Sequence, residues 1–180
     1  MATFIHPDEC HAHAPAPLWD TSTPMDLLKT FESAEARFGT AGPLLVTLYR
    51  GTSSVAMLDE LDRAQEALIA KYSRISTIAV IAFAGSMLKA DEAVRARSVE
   101  LGKKYEKSVL GSAIVVTTRG LAAVMVRTFL SGFFLLSRAE TPMKTFSTVA
   151  DGLTWVQGLP KQDLSVKTLV SAIDIERFIA

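Results

Sequence analysis

Cysteine and histidine are scarce in this chain. Cys10 is the single cysteine among 180 residues, so an internal disulfide is impossible, which suits a reducing compartment and a cytoplasmic protein. The three histidines are His6, His11 and His13, and the remainder of the chain contains none. A Ser–His or Cys–His nucleophile pair inside the folded domain is therefore excluded.

Motifs for nucleotide binding and acyl transfer are also missing. No GxGxxG, GxxxxGKS or GxSxG spacing occurs, so the sequence predicts neither a phosphate-binding loop nor a nucleophile elbow. Acidic pairs such as Asp59–Glu60 and Asp91–Glu92 fall near the starts of predicted helices, where the helix dipole accounts for them. We therefore expect no catalytic residue, no metal and no cofactor. An enzyme that uses carboxylates alone is the third-ranked hypothesis.

Net charge is absent as well, because Lys plus Arg and Asp plus Glu number 19 each. A neutral chain has no field to hold a polyanion, so we expect no nucleic-acid partner. The same neutrality removes charge repulsion between copies and favours self-association. The N-terminus lacks the apolar segment of a secretory signal. The longest apolar tract, residues 121–136, is interrupted by Arg127 and is short for a membrane span.

Residues 1–23 lack periodicity and are rich in Pro, Ala, His, Ser and Thr. We interpret them as a flexible N-terminal arm, with Trp19 as the residue that docks on the body, followed by a single domain over residues 24–180. The arm holds a metal-like cluster without a second half-site to complete a tetrahedron, so adventitious binding is the favoured interpretation. That cluster comprises His6, Asp8, Glu9, Cys10, His11 and His13.

Apolar periodicity divides the body into alternating strands and helices. We predict strands over residues 43–50, 75–83, 113–118 and 143–149, with helices over 52–72, 88–107, 121–136, from 151 onward, and over 164–179. For residues 24–38 a helix is the first choice. The alternative is a strand through Ala34, Ala36 and Phe38 that turns at residues 39–43.

Helices between apolar strands predict βαβ units. The expected fold class is α/β, with a four- or five-stranded, mainly parallel sheet and flanking helices. The strands without polar alternation should form the core, with Val80, Ile81, Ile114, Val115 and Val116 buried.

The element order over about residues 43–157 resembles the STAS-like fold of anti-sigma-factor antagonists and their divergent relatives. The resemblance is carried by the segments ISTIAVIAF, AIVVTT and MKTFSTVADGLTWV. The last of these is similar to the aromatic strand, acidic turn and "aLxWl"-like helix of the divergent group. The resemblance implies a STAS-like core followed by a C-terminal helix at 164–179, and a regulatory protein-interaction module.

The resemblance also implies a position for a phosphoacceptor. Family members carry a Ser or Thr in an Asp-Ser-Ser-Gly-like turn after the second core strand, and here the turn reads Ala84-Gly85-Ser86-Met87. Ser86 is close to the equivalent place, whereas the Asp and the second Gly are absent. A helix cap or turn serine is the favoured role of Ser86, and a phosphoacceptor at a helix N-terminus is the alternative.

The predicted helix 121–136 carries apolar residues over more than one face. A helix on a sheet needs an apolar stripe about 100° wide, whereas Phe129, Phe133 and Phe134 span about 140°. At least one ring should therefore point away from the sheet and be covered by the C-terminal helix, a second subunit, a lipid or a membrane. Arg127 interrupts this surface and either keeps the helix soluble or binds an anionic group.

These observations lead to a non-enzymatic, regulatory or scaffolding interaction module that forms a homo-oligomer or binds a protein partner. Phe129, Phe133, Phe134 and Arg127 are the predicted interaction residues. The alternative is a carrier of an apolar or lipid-like ligand lined by helix 121–136, which requires an enclosed cavity of several hundred Å³.

Overall fold

A computed structural model describes residues 27–82, 91–118 and 141–180, together with residues 120, 124, 126 and 128. The N-terminal arm lies outside the described residues. So do five of the predicted functional residues, namely Ser86, Arg127, Phe129, Phe133 and Phe134.

The described strands form one sheet in chain order: β1 (Leu28–Glu32), β2 (Ala36–Ala41), β3 (Leu44–Tyr49), β4 (Ile75–Ile81), β5 (Val109–Val116) and β6 (Met143–Phe146). Strands β1, β2 and β3 pair antiparallel, whereas β3 to β6 pair parallel. The α/β class is confirmed. The predicted count of four or five strands is wrong, because the sheet begins with an antiparallel hairpin.

The helices of the described residues are α1 (Val55–Tyr72), α2 (Glu92–Tyr105), α3 (Val149–Gln157), α4 (Leu164–Leu169) and α5 (Ala172–Ile179). Ser54, Asp91 and Thr148 cap the first three helices, since each side chain accepts a hydrogen bond from a backbone N–H in the first turn. Residues 124, 126 and 128 are helical as well, which agrees with the predicted helix 121–136 at those positions.

The helices divide between the two faces of the sheet. On the face that we call the front, Leu45 and Ile75 pack against α1, and Ile81 and Val116 pack against Val126. On the back face, the side chains of strand residues that alternate with these pack against α3, α4 and α5. Right-handed crossovers between sequential parallel strands place successive helices on one face, which accounts for the shared front position of α1 and α2.

Over residues 27–38, the described part of this segment, the first-choice helix is wrong. The alternative is correct in part: Ala36 and Phe38 lie in a strand that turns into β3, but Ala34 lies in the preceding bend, residues 39–41 continue the strand, and β1 was not predicted. The cause is a β-bulge between Lys29 and Phe31. Leu28 pairs with Thr40 and Phe31 with Phe38, so two residues three apart in sequence lie on one face of the sheet. A bulge thus reproduces the i, i+3 spacing that otherwise indicates a helix.

The predicted C-terminal helix over residues 164–179 is also wrong, because the chain forms two helices. Val170 is extended (φ −98°, ψ 124°), and Ser171 starts α5 with a capping box to Asp174. The Gln157 amide donates hydrogen bonds of 3.1 Å to the carbonyl oxygens of Val166 and Val170 at the break. These bonds satisfy two acceptors that a continuous helix would have used internally.

Other boundaries move by a few residues. Strand β5 begins at Val109 rather than at residue 113, β4 ends at Ile81, and β6 is shorter than predicted, with α3 starting at Val149. Of the predicted core residues, Val80, Ile81, Val115 and Val116 are buried, whereas Ile114 is half-buried.

Candidate functional site

A groove of about 490 Å³ lies on the front face, between α1 and the β1–β2 hairpin. Its apolar lining comes from both walls and includes Leu28, Phe31, Ala64, Ala67, Leu68 and Tyr72. The side chain of Leu28 is unusual, because this large apolar residue is 70% exposed. Volumes of this size are typical of ligand and peptide sites.

The α1 wall of the groove is shallow and has charges along its rim. Glu60, Ala64, Ala67 and Lys71 recur at helical spacing on one face, so that two small residues lie between two charged ones. Arg63 lines the groove too and is paired with Glu60. The Lys71 ammonium lies 5.0 Å from the centroid of the Tyr72 ring and forms no salt bridge within the described part of the chain. The rim is therefore suited to a ligand that carries a carboxylate.

A charge network joins the outer surfaces of α1 and α2. Asp62 accepts hydrogen bonds from Lys104 (2.7 Å), Arg97 (2.8 Å) and the Tyr105 hydroxyl, and Arg97 also donates to Asp59 (2.9 Å). Desolvation raises the pKa of Asp62, but the three donors outweigh it and lower the pKa to about 2. Because every partner comes from the two helices, we assign this network to their packing.

A second network lies at the turn end of the β1–β2 hairpin, where Glu32 pairs with Arg37. The Glu32 carboxylate receives hydrogen bonds from Lys29 (2.5 Å) and Arg37 (2.9 Å), and these donors lower its pKa to about 2. The guanidinium of Arg37 also bonds the backbone oxygen of Phe178. This cluster thus ties the hairpin to α5.

The helical residues 124, 126 and 128 lie at the carboxyl end of the parallel strands. Val126 is completely buried against Ile81 and Val116, whereas Val124 is 57% exposed. Residues that are two positions apart in an α-helix are separated by 200° of rotation about its axis, so these valines are on opposite sides of the helix. The helix therefore has one apolar residue against the sheet and another exposed to solvent.

The predicted interaction residues, a metal site and a membrane-spanning helix can be compared with the structure only where residues are described. Ser86, Arg127 and the three phenylalanines lie outside the described ranges, so their predicted roles stay predictions. Within those ranges, no three His, Cys, Asp or Glu side chains are grouped so that they could bind a metal. Within the same ranges, no helix has the length and apolarity that a membrane crossing requires.

Sequence reasoning missed the groove, although part of its signal was present. Leu58, Leu61 and Leu68 recur at helical spacing and indicate the inner face of α1, but nothing in the sequence marks the neighbouring Ala64 and Ala67 as the wall of a groove. The opposite wall could not be predicted, because it depends on the hairpin that was first interpreted as a helix.

Comparisons of this chain with protein-family models, with curated proteins and with solved structures found no match.

Proposed function

We propose that this chain is a non-enzymatic, STAS-like interaction module with a regulatory or scaffolding role, located in the cytoplasm, that self-associates through the outer side of the helix that contains Val124. The occupant of that surface is a second copy of the same chain.

The element order supports the STAS-like part of the proposal. From β3 to α3 the described elements follow the order that the resemblance implies, with strands and helices alternating and a short strand before the last helix of the core. The parallel pairing of β3 through β6 in chain order is consistent with it. The antiparallel hairpin β1–β2 precedes the segment that the resemblance covers.

The observation that carries the proposal is the position of the C-terminal helices. If they covered the outer side of the helix that contains Val124, the apolar residues of that helix that do not contact the sheet would be covered within the same chain, and no partner would be needed. Instead, α3, α4 and α5 contribute Val149, Val166 and Ile175 to the back face of the sheet. Val126 packs on the front face. The C-terminal helices are thus separated from the outer side of this helix by the sheet itself.

A second copy fits this surface better than a charged partner does. The formal net charge is zero, so long-range repulsion does not oppose the approach of two copies. Phe129, Phe133 and Phe134 follow Val124 in sequence and supply the aromatic anchors that dominate interface energies. Arg127 is the residue of this segment that we propose at the interface rim.

The test is native mass spectrometry of the purified full chain, which reports oligomeric state and any bound small molecule together. We expect a homodimer, and Val124→Glu should convert it into folded monomers. Ile173→Glu is the matched control, because Ile173 is an exposed apolar residue (66%) on α5 of the back face and should leave the dimer unchanged. Among single Glu substitutions at Phe129, Phe133 and Phe134, at least one should give the same monomers.

Two results would contradict this proposal. The first is a wild-type monomer at micromolar concentration. The second is a monomer that carries a lipid-like mass, lost on Val124→Glu, which would support the carrier instead.

A further inference from the structure

We infer that the groove between α1 and the β1–β2 hairpin is a docking site for this chain's own Leu18, Trp19 and Asp20. This surface is separate from the helix proposed for self-association, and the inference does not depend on that function.

The walls of the groove leave room for large apolar side chains. Leu28 and Phe31 line the hairpin side, whereas Ala64 and Ala67 form the middle of the α1 side. Eleven residues separate Glu60 from Lys71, so the α1 wall is about 17 Å long. A leucine that is 70% exposed opposite two alanines forms an apolar surface that one or two further large side chains would cover.

The path of the chain brings the N-terminal segment to this groove. Leu27 is half-buried and packs with the back-face core, and Leu28, the next residue, lines the groove. Residues 21–26 are the only ones between Asp20 and Leu27, and a fully extended chain of that length spans about 20 Å. Residues 18–20 can therefore reach any part of the groove. A tether this short gives an effective concentration on the order of millimolar.

The chemistry of the segment matches the chemistry of the groove. Leu18 and Trp19 supply adjacent large apolar side chains, and tryptophan is enriched among the residues that contribute most to binding. Asp20 follows directly and supplies a carboxylate for Lys71, which forms no salt bridge among the described residues. Arg63 is already paired with Glu60, so Lys71 is the rim cation that we assign to Asp20.

Fluorine NMR of the full chain labelled with 5-fluorotryptophan tests this inference. The chain has two tryptophans, and Trp19→Phe assigns their signals. Docking predicts that the Trp19 signal is displaced from its position in the urea-unfolded chain. Ala67→Phe, which fills the groove, should abolish that displacement. Ala70→Phe is the matched control, because Ala70 is also exposed on α1 and does not line the groove.

The signal of Trp155, which packs against Phe146, reports whether each variant is folded. Deletion of residues 1–17 should leave the Trp19 signal displaced. A Trp19 signal at its unfolded position in the wild-type chain would overturn the inference, as would a displacement that survives Ala67→Phe. A displacement lost on dilution would also overturn it, since that result places the segment on a second copy. In the Val124→Glu variant the displacement should persist, which separates this test from that of self-association.

Discussion

The contact between α3 and β5 provides a sharp test of the packing on the back face. Gly111 lies in β5 beneath the end of α3, and a Cβ added there would be 2.7 Å from Leu159 Cδ1 and 3.1 Å from Trp155 Cη2. Leu159 is buried, and the Trp155 ring is held against Phe146. The contacted atoms are side-chain ends rather than backbone, so Gly111→Ala should force these side chains to shift and loosen the packing of α3 on the sheet.

The size of the effect follows from two opposing contributions. Overpacking a filled core costs about 1–3 kcal/mol. Replacing glycine by alanine within a strand returns about 0.5–1 kcal/mol, because alanine loses less backbone entropy on folding. The net destabilisation should lie between about 0 and 2.5 kcal/mol, which corresponds to a fall in Tm of up to about 10 °C for a domain of this size.

Differential scanning calorimetry of Gly111→Ala and Gly102→Ala measures this effect with an internal control. Gly102 lies within α2, and nothing approaches within 4 Å of the position of its added Cβ. Alanine should therefore stabilise the protein at residue 102, since glycine is unfavourable in a helix interior. An increase in Tm for Gly111→Ala as large as that for Gly102→Ala would refute the close approach of α3 to β5.

Two further predictions concern the core and the response to acid. Val116→Asp should prevent folding, because Val116 is 1% exposed and an unpaired charge there costs several kcal/mol. Circular dichroism and solubility measurements test this. A variant that is soluble and melts at the wild-type temperature would refute it. The lowered pKa of Asp62 means that its ion pairs stabilise the protein above about pH 4 and lose that contribution as the pH falls toward 2. Asp62→Asn should lower the free energy of unfolding at pH 7 by about 1 kcal/mol after allowance for solvent screening. In urea titrations, the free energy of unfolding of this variant should decrease less than that of the wild type between pH 5 and pH 2. Glu66→Gln, which alters an exposed carboxylate of α1, is the control. If wild type and Asp62→Asn lost stability equally in acid, the stabilising role of the Asp62 ion pairs would be contradicted.

The parallel half of the fold was predictable because its signals are local and strong. The runs around Leu45, Ile78 and Val115 are continuous apolar strands, and the helices between them have regular stripes and capping residues. In α2, Val94, Leu101 and Tyr105 recur at helical spacing along one face, and all three are buried. Local periodicity suffices where a helix rests on a sheet with one clear face.

The errors occur where tertiary contacts override local patterns. The bulge at Lys29–Phe31 gave the first strand the spacing of a helix, and its pairing with β2 is visible only in the sheet. Gly111 lies before the predicted start of its strand at residue 113, whereas in the structure it is a β5 residue on which side chains from α3 and the residues after it pack closely. The break at Val170 depends on a side chain thirteen residues earlier, that of Gln157. Such contacts leave little trace in a single sequence.

The candidate site was less predictable than the fold, because a groove belongs to two elements at once. Leu28 lies in the segment that was first predicted as a helix, and Ala67 lies in the predicted helix 52–72 without a pattern that distinguishes it. Only their placement on facing walls makes them parts of one surface.

The most direct test of the central claim is the mass of the full chain and of Val124→Glu, measured side by side by native mass spectrometry. We predict a wild-type homodimer and a folded Val124→Glu monomer, with Ile173→Glu still dimeric. A wild-type protein that is monomeric at micromolar concentration, or a Val124→Glu variant that is as dimeric as wild type, would contradict the proposed self-association through this helix.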